Sequence, residues 1–172
     1  MREVPGTRRL TRLGLLTAMA LVLFLVEAAL PRPLPWMKLG LGNAAVLAAL
    51  LLFGAGPALA VSLTKLLLGG LLSGGLGGPA FVIGASAGVA SVAAMALLMR
   101  LAPRLLSPVG LSVAGALVHQ CTQLTVAAGY LGHAGLFNLL PMFLVSGVVT
   151  GLLTGFATYF ALGRLAGVAQ DA

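Results

Sequence analysis

His119 and Gln123 stand four residues apart in "ALVHQCTQLTVAAGYL", Ala116 to Leu131, and Gly115 precedes His119 by another four. On a helix that spacing puts all three on one face. An imidazole and a primary amide can each donate and accept hydrogen bonds. A glycine beside them leaves room for a bound molecule. Thr122 borders the face, three residues from His119, while Gln120 points elsewhere, toward a neighbouring helix. One polar side chain in an apolar helix is accounted for by an interhelical hydrogen bond of about 0.6 kcal/mol. A glycine, a histidine and a glutamine on one stripe exceed what packing needs and read as the wall of a polar cavity.

Two charges lie in equally apolar surroundings. Glu27 is near the end of the first apolar run, and Lys65 is near the middle of the third. A charge at the centre of a bilayer costs roughly 2.5–3.5 kcal/mol on insertion scales, so such residues are usually paired or functional. Either the two form a structural ion pair, Lys65 snorkels to an interface, or both contact a ligand. Glu27 is the one acidic residue away from the chain ends, since Glu3 and Asp171 lie at the termini.

"PWMKLGLGNAAVL", Pro35 to Leu47, is the other dense stretch. Lys38 and Asn43 flank Gly40 and Gly42 where the chain enters a helix. Unpaired N–H groups at a helix start suit an anion. Trp36 and Lys38 also suit an outer membrane boundary, and spacing alone favours that anchor.

The elements that hold these residues are membrane helices. Of 172 residues, 60% are hydrophobic and 8% charged, against about 25% charged in soluble domains. The chain cannot cover a water-facing surface and reads as one integral membrane domain, residues 1–172, with a short basic segment, 1–12. The net charge of +7 does not mark a nucleic-acid binder, because the arginines cluster at helix ends and no aromatic residues interleave with them. One cysteine, Cys121, excludes an internal disulfide and a cysteine-cluster metal site. No cofactor is implied. The twin-arginine look of "TRRLTRLGLL" does not make a removable signal, since everything downstream is also membrane-like.

Six helices fit, over about 13–30, 41–53, 57–72, 80–101, 109–131 and 137–162. "PRPLP" blocks the first, and "GAGP", "SGGLGGP" and "APRLLSP" make later turns. The second is short for a full span unless it is tilted or begins in a re-entrant turn. Six spans place both termini on one side. With those termini cytoplasmic in the cell membrane, the inner segments hold Arg2, Arg8, Arg9, Arg12, Arg100, Arg104 and Arg164, and the outer ones Arg32 and Lys38, as the positive-inside rule requires. His119 and Gln123 then lie near mid-membrane or toward the outer leaflet. Small residues recur at close-packing intervals: Gly84, Gly88 and Ser91 on the fourth helix, and Gly147, Gly151 and Gly155 on the sixth. Gly14 and Ala18 on the first helix could face another subunit.

Two motifs carry a family resemblance. "LPWMKLGLGNAAVL" resembles the P-x-x-K-L-G-L-A-N signature of the Gx transporter family, also labelled heptaprenyl diphosphate synthase component I. "LSVAGALVHQCTQLTVA" resembles its second signature, S-x-x-G-A-x-x-H-N-x-G-Q. Lys38, Leu39, Gly40 and Asn43 match the first; Gly115, Ala116, His119 and Gln123 match the second. Gln120 replaces the usual asparagine, and Thr122 replaces a glycine, which narrows a pocket there. The likeness runs from about Leu13 to Leu162. The family resembles the six-helix substrate-binding S components of energy-coupling-factor (ECF) transporters. That resemblance implies capture of a vitamin-like molecule, such as a flavin or quinone precursor, and docking through first-helix small residues on a coupling subunit with two ATPases.

The expected function is therefore a non-enzymatic substrate-binding subunit, its pocket lined by Glu27, Lys38, Gly40, Asn43, Lys65, Gly115, His119 and Gln123, with Gly14 and Ala18 for docking. No phosphate loop is present for ATP hydrolysis. The alternative takes the other family label literally, as a non-catalytic membrane component of a prenyl diphosphate synthase. Catalysis by this chain alone would need clustered carboxylates for Mg²⁺, and the chain has no aspartate-rich motif. A purely structural membrane protein is the third reading.

Overall fold

The computed structural model describes residues 6–30, 40–102 and 106–168. Lys38, Leu39, Trp36, Arg32 and Arg104 lie outside them. The described chain is an all-α membrane protein: α1 Gly6–Ala29, α2 Leu41–Phe53, α3 Ala55–Leu72, α4 Pro79–Leu101, α5 Pro108–Leu131 and α6 Leu140–Val168, with a 3-10 turn at Ala134–Leu139 before α6. Four segments are long and apolar enough to cross a membrane: Gly6–Ala29, Ala55–Leu72, Pro79–Leu101 and Ala134–Arg164. At 24 residues, α5 spans about 36 Å, and His119, Gln120 and Gln123 dilute its apolar character.

The helix boundaries follow local chemistry. α4 and α5 each begin with a proline at the first helical position, where its missing N–H would have had no partner. Ser107 caps α5 by accepting from Gly110 N–H at 3.1 Å. Gly132, at φ 63°, ends it in the left-handed conformation that glycine adopts without strain. α1 begins at Gly6, seven residues before the apolar run at Leu13, because Arg8, Arg9 and Arg12 are good helix formers and continue the helix beyond the hydrocarbon.

α2 to α6 close a ring, each packing on the next and α6 returning to α2, while α1 lies outside against α2 and α3. Beyond Asn43, α2 is apolar on every side, and Ala45 to Leu50 are all buried, as expected of a helix surrounded by others. Its 13 residues cover about 20 Å, less than a bilayer core of about 30 Å. The deficit falls at its start. A Cβ at Gly42 would lie 2.7 Å from the Ala20 carbonyl, and Thr158 Oγ1 donates to the Ala44 carbonyl at 3.1 Å. The N-terminus of α2 thus sits beside the C-terminal half of α1 and the middle of α6, inside the bundle.

Glycine sets the closest approaches. On α6, a Cβ at Gly151 would lie 2.6 Å from Val113 Cα and one at Gly155 2.8 Å from Val109 Cα. The ladder Gly147–Gly151–Gly155 is the face that α5 occupies, running antiparallel. Gly14 differs: nothing lies within 4 Å of its Cβ position, and it and Ala18 are exposed on the outer face of α1.

Candidate functional site

A helix that starts inside an apolar bundle has unpaired N–H groups with no water to satisfy them. Glu27 supplies the partner. Its Oε1 accepts from Gly40 N–H at 2.7 Å and its Oε2 from Leu41 N–H at 3.2 Å. The left-handed Gly40, at φ 68°, turns these amides toward the Glu27 carboxyl oxygens. The glycine-rich start of α2 is occupied by a carboxyl group, and that group is the protein's own side chain.

One turn further on, Asn43 Oδ1 accepts from Lys65 Nζ at 2.6 Å. Both Lys65 and Glu27 are buried, at 5% and 6% exposure. These groups form one end of a cavity of about 280 Å³, to which all six helices contribute. This volume is near the lower end of small-molecule pockets, about 300–1,000 Å³. His119 and Gln123 reach it from α5, Ser91 from α4, and Thr150 and Thr154 from α6. Of the residues singled out in the sequence, Glu27, Gly40, Asn43, Lys65, His119 and Gln123 meet around this one space, and Lys38 is outside the described residues.

Gly115 is the exception. It does not line the cavity; its Cβ position lies 2.5 Å from Met95 Sδ, and its carbonyl accepts from Ser91 Oγ at 2.8 Å. The missing side chain makes room for α4 rather than for a ligand. Gln120 does reach a neighbouring helix, donating from Nε2 to Ser146 Oγ at 3.0 Å, and it lines the cavity as well.

Sequence reasoning passed over the hydroxyl face of α6. Ser146, Thr150, Thr154 and Thr158 recur every four residues and all are buried. The signal was legible, offset by one residue from the glycine ladder. On a helix that offset sets the hydroxyls beside the glycine seam: Ser146 and Thr154 bond to Gln120 and Ser112 of α5, Thr150 and Thr154 line the cavity, and Thr158 reaches α2.

The fold and site define a multi-pass, all-helical membrane protein with a polar cavity of small-molecule size in its bundle. The chain belongs to the family described as Heptaprenyl diphosphate synthase component I, which matches residues 16–161. No curated protein and no solved structure matches it.

Proposed function

We propose that this protein is the substrate-capture subunit of an uptake system, binding a vitamin-like or cofactor-precursor molecule and energised by separate coupling and ATPase subunits. The observation that carries this reading is the cavity itself. A buried lysine, a histidine and amide side chains surround one space inside an apolar bundle, where polar groups are expensive unless they are used. The cavity runs from Glu27 and Ala80, at the C-terminal end of α1 and the N-terminal end of α4, to Met95 and Ser112 deeper in α4 and α5. With both termini cytoplasmic, its Glu27 and Ala80 end lies on the outer side, where an uptake subunit meets its substrate. Gly14 and Ala18, exposed on α1, offer a close-packing face to a coupling subunit.

The family description favours a second reading, a non-catalytic membrane component that works with a separate prenyl diphosphate synthase. Purification from native membranes in mild detergent, with mass spectrometry of co-purifying proteins, separates the two. Recovery of a membrane coupling subunit with two ATPases is the expected result. Recovery of a soluble, aspartate-rich synthase without those ATPases would replace uptake with the second reading.

A further inference from the structure

Ser62 carries a buried hydroxyl that the helices leave unused. In an apolar helix a serine or threonine commonly donates its proton to the carbonyl four residues back. Thr17, Thr154 and Thr158 do so here, at 2.8 Å each. Ser62, in α3, is 3% exposed and has no hydrogen-bond partner among the described residues. It lines the cavity. A buried hydroxyl without a partner is costly, and native structures contain few of them.

α4 presents to the same cavity a face almost without side chains. Ala80, Gly84 and Gly88 recur every four residues, and all three line the cavity. Two turns of helix make that face about 12 Å long. Packing explains Gly88, whose Cβ position lies 3.1 Å from Ser62 Oγ and 3.5 Å from Leu66 Cδ1. It does not explain Gly84, whose nearest neighbour is Leu66 Cδ2 at 3.8 Å, an ordinary van der Waals contact. The other glycines around the cavity are required where they stand. Gly40 has a positive φ of 68°, and the Ala20 carbonyl lies 2.7 Å from the Cβ position of Gly42.

Alanine at position 84 would fit the packing and make a stronger helix. What glycine keeps open there is cavity. A wall of bare backbone lets a flat molecule lie against it over a whole face, because dispersion contacts need separations of about 3.5–4 Å. A saturated ring touches the same wall only at its projecting hydrogens.

Resting on the capture reading above, we infer that Ser62, Gly84 and Gly88 form a subsite for a flat ring with a hydrogen-bonding edge. The ring lies on the α4 backbone, and its polar edge meets the Ser62 hydroxyl. A hydroxyl can donate or accept, so a lactam edge, which does both, suits it in either sense. Gly84 sets the thickness that is admitted and is a specificity-determining residue.

The test compares two lactams of one skeleton, planar 2-quinolone and its saturated counterpart decahydroquinolin-2-one. Affinities are measured by calorimetry on the full chain in nanodiscs, with empty nanodiscs subtracted. The parent protein should bind 2-quinolone about tenfold or more tighter than the saturated lactam. Ser62→Ala should weaken 2-quinolone about fivefold, the value of one hydrogen bond. Gly84→Val should melt close to the parent and weaken 2-quinolone about tenfold or more. If that variant does not fold, Gly84→Ala, whose methyl meets only Leu66 at 3.8 Å, carries the same comparison. On a Cys121→Ser background, Gly84→Cys should react with 2-aminoethyl methanethiosulfonate, and 2-quinolone should slow that reaction. Equal binding of the two lactams by the parent, or binding of neither, would overturn the inference. So would an unchanged affinity in Ser62→Ala, which would leave that hydroxyl to water, or a Gly84→Cys reaction that 2-quinolone does not slow. Any of these alongside recovery of the coupling subunit and ATPases would overturn the subsite alone and leave uptake standing.

Discussion

Glu27 is the residue on which the site's architecture turns. It holds the first two amides of α2 from a position 13 residues upstream of Gly40. Removing it leaves two buried N–H groups without an acceptor, each worth about 1–3 kcal/mol. We expect Glu27→Ala to lower thermal stability in detergent by that order, and Glu27→Gln, which keeps one acceptor, to lower it less. An unchanged melting temperature for Glu27→Ala would show that the α2 start is satisfied in another way. Glu27 and Lys65 were legible in the sequence because charge is conspicuous against hydrocarbon. Their partners were not, since the Lys65–Asn43 bond joins residues 22 positions apart and depends on how α2 meets α3. Gly115 was misread for the same reason: its spacing with His119 is visible, but Met95, the side chain that fills its space, comes from another helix.

Helix limits were largely legible, because proline and glycine act locally. α2, α4 and α5 lie where their punctuation put them. What the pattern could not supply is depth. A run of 13 apolar residues does not say whether it begins at a membrane surface or within the bundle. The two glycine stripes show the same limit. The α6 ladder and the Gly14–Ala18 pair share a spacing, yet one is filled by α5 and the other is open. Substitution should separate them. Gly151→Ala places a methyl 2.6 Å from Val113 Cα, a backbone atom that cannot rotate away. The α5–α6 pair must part, at a cost of about 1–3 kcal/mol. Gly14→Ala meets nothing within 4 Å and should stay within about 0.5 kcal/mol of the parent. Thermal unfolding of both variants measures this, and equal losses would contradict the assigned roles of the two stripes. Gly14→Leu combined with Ala18→Leu should likewise fold normally and, on the proposed uptake reading, reduce co-purification of a coupling subunit.

For the whole molecule, the direction in which the cavity faces decides whether capture from outside is physically available. That direction depends on α2. If α2 crosses to the far side, the chain has six spans, its termini share a side, and the α3–α4 loop lies opposite them. If α2 folds back to the surface it came from, the termini part and the loop joins the N-terminal side. The packing favours a crossing. Gly42, at the start of α2, meets Ala20, and the later Leu47 and Leu50 share a core with Leu13 and Leu16 near the start of α1. α2 therefore runs down α1 toward its basic end. Three single-cysteine variants on a Cys121→Ser background test this. Thr7→Cys and Gly163→Cys mark the two ends, Gly75→Cys marks the α3–α4 loop, and all three positions are exposed. A membrane-impermeant maleimide added to intact cells should label Gly75→Cys alone, and the other two only after the membrane is opened. Labelling of Gly163→Cys from outside would mean an odd number of crossings. The cavity would then have to be assigned to a different face, and uptake from outside would lose its structural basis.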